Sequence, residues 1–335
     1  MIVKKKLVFI SLFLMLVLLA ACGDSDSAEG TDESGDGDGG GESLVFGTGG
    51  TSGTYYPIGG ALKPIFEESD QVGNVTVEST GASVANIQNM QDGLNQMTII
   101  MSDVAYDALE GTGQFEGSQA DVQALAGMYQ NVVQVVAMAD SGIETIKDLE
   151  GKRVGVGKVG SGVEQSAQKV LEAIDLTYDD LSKVTHTGYA DSVQEMKNGT
   201  LDAAFFTSGV PNSSITDLKQ QNEMVFVEIK DDVAATLMDT YPFYKEFTIP
   251  AGDEAMYNLD QEVNTVGIQN MITVSPDLSE DLVYDLTKRY YDYLDSDEVS
   301  ISALNQLPRE DIAKDLVAPL HPGAKKFYEE NDMLE

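Results

Sequence analysis

Beyond residue 43, segments with the apolar spacing of a strand alternate with segments that have the apolar spacing of a helix. Short apolar runs such as SLVFGT (43–48) and LDAAFF (201–206) predict strands, and each precedes a stretch rich in Gly, Ser and Thr. A helical pattern then follows; in the first, Ile58, Ala61, Leu62, Ile65 and Phe66 fall on one stripe. The order strand, small-residue loop, helix recurs at least five times. It predicts an α/β fold with helices packed over mainly parallel strands.

Longer elements and helix ends extend this prediction. The run ALAGMYQNVVQVVAM (124–138) predicts a crossing strand, and SEDLVYDLTKRYYDYLD (279–295) predicts a late helix. Pro64 should bend or shorten the first helix, and Asp191 should cap the helix that follows it. His321, before a proline, indicates a structural role at a helix start.

Residues 1–22 predict an export signal. Three lysines precede the apolar run 7–19, which is shorter than the roughly 20 residues that a membrane span needs. The ending Leu19-Ala20-Ala21-Cys22 resembles a bacterial lipobox, in which the cysteine is lipidated and becomes the mature N-terminus. We therefore expect a lipid anchor at Cys22 on the outer face of the cytoplasmic membrane. An ordinary cleaved signal followed by a chance cysteine is the alternative.

Residues 23–43 predict a disordered tether. The stretch is rich in acids and glycine and has no large apolar residue before its end, so it cannot bury a core. An acidic tail that binds a metal or a basic partner is an alternative, although regularly spaced ligands are lacking.

Charge and composition exclude several classes of function. The chain has 56 acidic and 20 basic residues, a formal net charge of −36, which disfavours nucleic-acid binding. One cysteine and two histidines argue against a transition-metal site and against nucleophilic catalysis, so we expect no cofactor, no metal and no enzyme activity. GVGKVG (155–160) formally matches a dinucleotide-binding fingerprint, but an exported protein meets few nucleotides.

The small-residue loops are the candidate binding site. In open α/β sheets, ligands bind beyond the carboxyl ends of strands, where these loops should converge. Free N–H groups at helix starts bind carboxylates without a formal cation. The candidate residues are Thr48, Gly49, Tyr56, Thr80, Gly81, Ser83, Ser102, Asp103, Ser161, Gly162, Thr207 and Ser208, with Lys158 as a further possibility.

Three of these candidates have open alternatives. Asp103 either receives a solute ammonium group or caps the helix VAYDAL. Tyr56 either contacts solute or packs in the core. Lys158 either points to solvent or adds a cation to the cleft that favours doubly charged acids.

Seven segments, taken in order, resemble one receptor family. They are GTGGTSGTYYPIGGAL, STGASVANI, SDVAY, DSGIETIKDLEGKRVGVGKVGSG, DAAFFTSGVP, YPFYKEFTIPAG and PLHPGAKKFYEE, spread over about residues 44–330. This series is similar to the solute receptors of the TRAP-associated extracytoplasmic immunogenic (TAXI) family. Lys158 departs from the small residue expected in that family.

The resemblance implies a two-lobed receptor of the type II periplasmic-binding-protein fold, with lobe 1 formed by 44–137 plus 252–335 and lobe 2 by 138–251. It implies capture of a small organic anion or amino acid, such as glutamate or a dicarboxylate, and delivery to a TRAP membrane permease. We expect a monomer. A receptor for an ATP-driven importer is the alternative, and an exported hydrolase is an alternative from another class.

Overall fold

A computed structural model describes residues 41–334. The predictions for the export signal, for Cys22 and for most of the tether lie outside these residues. The first strand begins at Glu42, so the last two residues of the predicted tether, Glu42 and Ser43, belong to the sheet, where they pair with Val72 and Asn74.

Ten strands and nine α-helices alternate along the described chain. The strands are β1 (Glu42–Gly47), β2 (Val72–Glu78), β3 (Met97–Met101), β4 (Gln123–Met138), β5 (Arg153–Gly155), β6 (Lys183–Thr185), β7 (Ala203–Ser208), β8 (Met224–Val227), β9 (Tyr244–Ile249) and β10 (Val263–Val274). The helices are α1 (Tyr55–Glu67), α2 (Ser83–Gln91), α3 (Ser102–Glu110), α4 (Gly162–Glu172), α5 (Tyr189–Lys197), α6 (Ser213–Gln221), α7 (Asp231–Thr240), α8 (Glu280–Leu294) and α9 (Pro322–Glu330).

The ten strands form one continuous sheet, in which eight follow the order β2-β1-β3-β10-β4-β7-β5-β6, while β8 pairs with β4 and β9 pairs with β10 beside this path. β1 pairs in parallel with β2 and β3, and β5 pairs in parallel with β6 and β7. The pairings made by β4 and β10 are antiparallel. The expectation of a mainly parallel sheet is therefore wrong, because two long strands run against the α/β units on either side of them.

These two strands connect the lobes. β4 pairs with β10 up to residue 132 and with β7 over 132–137, while β10 pairs with β9 over 263–268 and with β3 over 270–274. Each strand therefore contributes its ends to different lobes. We expected the return crossing near 252, but residues 263–268 still pair with β9, so the boundary that we now propose lies near 268.

The helix predictions were confirmed where apolar residues recur at regular helical spacing. Ile58, Leu62 and Phe66 of α1 are fully buried, and the predicted late helix is α8. α1 continues to Glu67 with Pro64 inside it, so the proline does not shorten the helix.

Two helix-start predictions had opposite outcomes. α5 begins at Tyr189, two residues before the predicted cap Asp191, and its N-cap is Gly188 without a side-chain cap. His321 is confirmed at the start of α9, where its Nδ1 accepts a hydrogen bond from the Gly323 N–H at 3.2 Å.

Two hydrophobic clusters lie on the sheet faces. The larger extends through both lobes and includes Phe46, Tyr129 and Phe205, and the smaller packs Phe206 and Ile215 of lobe 2. Within residues 41–334, no helix combines the length and apolarity needed to cross a bilayer.

Candidate functional site

A cavity of about 330 Å³ lies between the two lobes. Its volume is at the small end of the range for ligand pockets, about 300–1,000 Å³. Lobe 1 contributes the loops 49–55 and 79–83, and lobe 2 contributes 157–163, 187–191 and 207–208. These loops are the β-to-α connections, so the predicted convergence beyond the strand ends is what the structure shows.

Four helices begin at this cavity. The first residues of α1, α2, α4 and α5 line it together with their preceding loops, two helices from each lobe. The partial positive charge at each helix N-terminus, roughly half a unit, thus faces the same space. An anion in the cavity would be stabilised from both lobes.

Main-chain N–H groups are available at these helix starts. Those of Gly49, Gly50, Thr51 and Ser52 donate no hydrogen bond to any acceptor within residues 41–334. At α4, the Ser161 hydroxyl accepts from the Glu164 N–H at 3.2 Å and leaves the Gly162 and Val163 amides without a described acceptor. The cavity therefore offers several free main-chain hydrogen-bond donors at the helix starts.

Nine of the thirteen candidate residues line the cavity. They are Gly49, Thr80, Gly81, Ser83, Lys158, Ser161, Gly162, Thr207 and Ser208. A Cβ at Gly162 would overlap with the flexible end of the Met101 side chain in the opposite lobe, so that side chain would have to shift. Their contact with a solute remains a prediction.

Thr48 and Ser102 are not at the cavity, contrary to prediction. Both hydroxyls are buried and bonded to main-chain carbonyls, Thr48 to Glu78 at 2.6 Å and Ser102 to Gln269 at 2.9 Å. Each therefore fixes the backbone beneath the site.

Tyr56 is also misplaced, since its neighbour Tyr55 lines the cavity. The two tyrosines are the first residues of α1, where successive side chains point about 100° apart, so only one can face the cavity.

Asp103 neither meets the cavity nor caps its helix, so both predictions for it are wrong. α3 begins one residue earlier, and the fully buried Asp103 carboxylate pairs with Lys169 Nζ of α4 at 3.0 Å. Lys169 Nζ also lies 3.8 Å from Asp107, and burial raises the pKa of the Asp107 carboxyl. This ion pair joins helices of opposite lobes beside the cavity.

Two opposite charges line the lobe 2 side of the cavity. Lys158 is exposed, faces the cleft and makes no salt bridge within residues 41–334. A Cβ at Gly188 would lie 3.2 Å from Lys158 Cε, so the lysine stem passes over the start of α5. Asp191, in the first turn of α5, also lines the cavity. Lys158 is therefore both exposed and at the cleft, and its preference for doubly charged acids stays a prediction.

Two groups of lining residues were not among the predicted ones. The loop 187–191 has the same small-residue pattern after a strand as the predicted loops, so this signal was present. Asn131 lies inside a long strand, and no local pattern marks it.

Ala82 shows strain at the site. It lines the cavity with φ of 72° and ψ of −152°, a backbone conformation that residues other than glycine rarely adopt. The conformation directs the chain into α2 at the cavity wall.

The GVGKVG segment does not add a separate nucleotide site, because Gly157 and Lys158 line the same small cavity. Within residues 41–334 no three His, Cys, Asp or Glu side chains are grouped closely enough to hold a metal ion.

The chain resembles known proteins in sequence over most of its length. Residues 46–331 match the NMT1-like family. The arginine-binding extracellular protein of Bacillus subtilis (strain 168) is 28% identical over 207 residues, which are 60% of this chain and 72% of that protein.

Solved structures resemble the chain at low sequence identity. A protein of Bordetella bronchiseptica RB50 is 14% identical with a TM-score of 0.53, covering 87% of this chain and 98% of its own. The alkanesulfonate-binding protein of Xanthomonas axonopodis pv. citri, bound to MOPS, is 14% identical with a TM-score of 0.49, covering 83% and 84%. With its two-lobed α/β fold and its interlobe cleft, the chain belongs to the NMT1-like family and is an extracytoplasmic solute-binding protein of a membrane transporter.

Proposed function

We propose that this protein captures a small carboxylate, such as glutamate or a related amino acid or dicarboxylate, in the interlobe cleft. The observation that carries the proposal is the convergence of four helix N-termini, two from each lobe, on one cavity of about 330 Å³. Helix starts bind anions through free N–H groups and through the helix dipole.

The expected affinity follows from the number of donors. Hydrogen bonds to a charged group contribute about 1.5–3 kcal/mol each, and a buried carboxylate is costly unless such donors satisfy it. Four or five donors from both lobes would give affinity of about 1 μM once desolvation and lobe closure are subtracted. Because neither lobe alone supplies them all, binding and closure are coupled.

A thermal-shift screen of amino acids and organic acids tests this proposal. A solute that binds the folded state raises its stability by RT ln(1 + [L]/Kd). Stabilisation by one or more carboxylates, together with compaction in small-angle scattering on ligand addition, is expected. If no carboxylate stabilises the protein, or if binding causes no compaction, the proposal is wrong.

The transporter that we propose is a TRAP permease of the TAXI type, driven by an ion gradient. The ordered segments from GTGGTSGTYYPIGGAL to PLHPGAKKFYEE support this proposal. The other candidate is an ATP-driven importer, which the similarity to an arginine-binding protein supports comparably. Uptake assays distinguish them, since collapse of the ion gradient abolishes TRAP transport and depletion of ATP at a constant gradient abolishes the other.

We also propose that Cys22 carries the lipid anchor. The Leu-Ala-Ala-Cys ending supports this role. In cells, Cys22→Ala should release the protein from the membrane fraction without changing its affinity for solute; a variant that stays membrane-bound would contradict a lipid anchor at this residue.

A further inference from the structure

The inner wall of the cavity contains a chain of hydrogen bonds whose direction is fixed. At its start, Asn270 Nδ2 donates to the Tyr129 carbonyl at 2.9 Å, and a carbonyl can only accept. Asn270 therefore presents its Oδ1 to Tyr55, whose hydroxyl donates to it at 2.5 Å.

The hydrogen bond between Tyr55 and Asn131 has a fixed direction as well. Its hydroxyl proton is committed to Asn270, so the same hydroxyl can only accept from Asn131, whose Nδ2 lies 3.0 Å away. Burial raises the pKa of the Tyr55 phenol well above its ordinary value, so the phenol stays protonated and the direction does not reverse at physiological pH. Rotating the Asn131 amide by 180° would bring two acceptors together.

The Asn131 carbonyl oxygen is consequently left as an acceptor. Asn131 lines the cavity and is only 3% exposed, and its Oδ1 has no hydrogen-bond partner within residues 41–334. Thr207 also lines the cavity at 3% exposure, and its Oγ1 likewise lacks a partner there. A buried polar atom without a partner is costly, and of the eleven such side-chain atoms among the described residues, these two belong to residues that line the cavity, where a solute can supply the partner.

The two side chains lie on the same face of the sheet. β4 and β7 pair antiparallel with Val133 opposite Thr207, and Asn131 is two residues from Val133. Asn131 and Thr207 are thus diagonal neighbours, at a Cα spacing of about 7–8 Å, which lets one small group reach both. The neighbouring position 209 is a glycine, and the side chains of Thr54 and Tyr129 pack where its Cβ would lie.

We propose that Asn131 Oδ1 and Thr207 Oγ1 bind a hydrogen-bond donor of the solute, an amino group, and thereby select amino acids over the 2-oxo acids of the same carbon skeleton. This inference rests on the proposed capture of a carboxylate, which the helix starts would hold at the other side of the cavity.

The test measures affinities for matched solutes by isothermal titration. The probes are L-amino acids and the corresponding 2-oxo acids, for example L-glutamate against 2-oxoglutarate, starting from the amino acid that binds most tightly. We expect the oxo acid to bind at least about tenfold more weakly, the size of a lost hydrogen bond to a charged group. Equal or tighter binding of the oxo acid overturns the inference while leaving the carboxylate receptor intact. If neither set binds, the proposed function fails and the inference fails with it.

Three variants assign the preference to these residues. Thr207→Val should lower the ratio of amino-acid to oxo-acid affinity, and Thr207→Ser, which restores the hydroxyl, should recover it. Tyr55→Phe should lower the same ratio by freeing the Asn131 amide, a result that a merely structural role of the hydroxyl would not produce. Thr248→Val, at an exposed position of β9, is the matched control and should not change the ratio. An unchanged ratio in both Thr207→Val and Tyr55→Phe would overturn the inference.

Discussion

Replacing Lys169 with methionine should destabilise the protein strongly, because Lys169 is the cation of a buried interlobe pair. Its side chain is 10% exposed, and its partner Asp103 is fully buried. The Nζ atom also lies 5.2 Å and 5.4 Å from the ring centroids of Tyr241 and Phe243, within range of a cation–π interaction.

The size of the expected loss in unfolding free energy follows from the buried carboxylate that loses its partner. Methionine preserves most of the stem packing but strands a buried carboxylate, and removal of one partner of a buried pair costs about 3–5 kcal/mol. A typical domain has only about 5–15 kcal/mol of stability, so the loss should be visible as an early transition in urea. The chain has no tryptophan, so far-UV circular dichroism is the suitable probe.

A double-mutant cycle separates the pair from other effects. Asp103→Asn combined with Lys169→Met removes both charges, so the double variant should lose less than the sum of the single variants, with a coupling of about 0.5–3 kcal/mol. Lys314→Met is the matched control. Its bridge to Asp311 has 45% and 43% exposed side chains, and its loss should cost under about 1 kcal/mol.

The loss of unfolding free energy caused by Lys169→Met should be smaller at acidic pH. Burial raises the folded-state pKa of Asp107, so its contribution to stability is present at low pH and is lost as the pH rises through that pKa. The Lys169 charge opposes this rise, so the pKa of Asp107 should rise further when the lysine is removed. The loss of unfolding free energy caused by Lys169→Met should therefore be smaller at about pH 5 than at about pH 7.5. If Lys169→Met costs no more than Lys314→Met, or if the two single losses add, the interlobe pair does not stabilise the folded protein.

Three further predictions concern single residues. Lys158→Ala should weaken dicarboxylates more than monocarboxylates in titration calorimetry, and an unchanged ratio would exclude a second carboxylate at this lysine. Ala82→Gly should raise the free energy of unfolding by roughly 1 kcal/mol in urea, because glycine adopts φ of 72° without strain; no gain would mean that the conformation is not strained. Burial lowers the pKa of His321, so stability is present above the unfolded value of about 6.5 and is lost as the pH falls through the folded value. His321→Asn, which retains a capping acceptor, should flatten this pH dependence of urea unfolding, and an unaltered slope would assign it to other groups.

The sequence predicted the parts of the site that depend on local order. Small residues after a strand and before a helix identified the loops around Gly49, Gly81, Ser161 and Thr207, because a β-to-α connection that approaches a ligand needs this composition in one continuous segment. The same local logic confirmed His321 at the start of α9.

Contacts between residues that are far apart in the sequence could not be predicted from local patterns. Asp103 follows a strand like the other candidates, yet its partner Lys169 is 66 residues away, and only the approach of α3 to α4 shows that the carboxylate is already neutralised. Asn131 was missed for the opposite reason, since its function depends on Tyr55 and Asn270, 76 and 139 residues distant, and not on its strand neighbours. The prediction of Tyr56 was wrong by one residue, because the exact start of α1 determines whether Tyr55 or Tyr56 faces the cavity.

The strongly negative net charge of the protein is compatible with the proposed capture of an anion. A net charge of −36 acts over the surface, but salt screens exposed charges beyond about 8–10 Å at physiological ionic strength. The helix starts act at hydrogen-bond distance inside a partly desolvated cavity, where their dipoles are screened much less. The proposed recognition of a carboxylate therefore depends on main-chain geometry from both lobes, and the surface charge could vary without changing it.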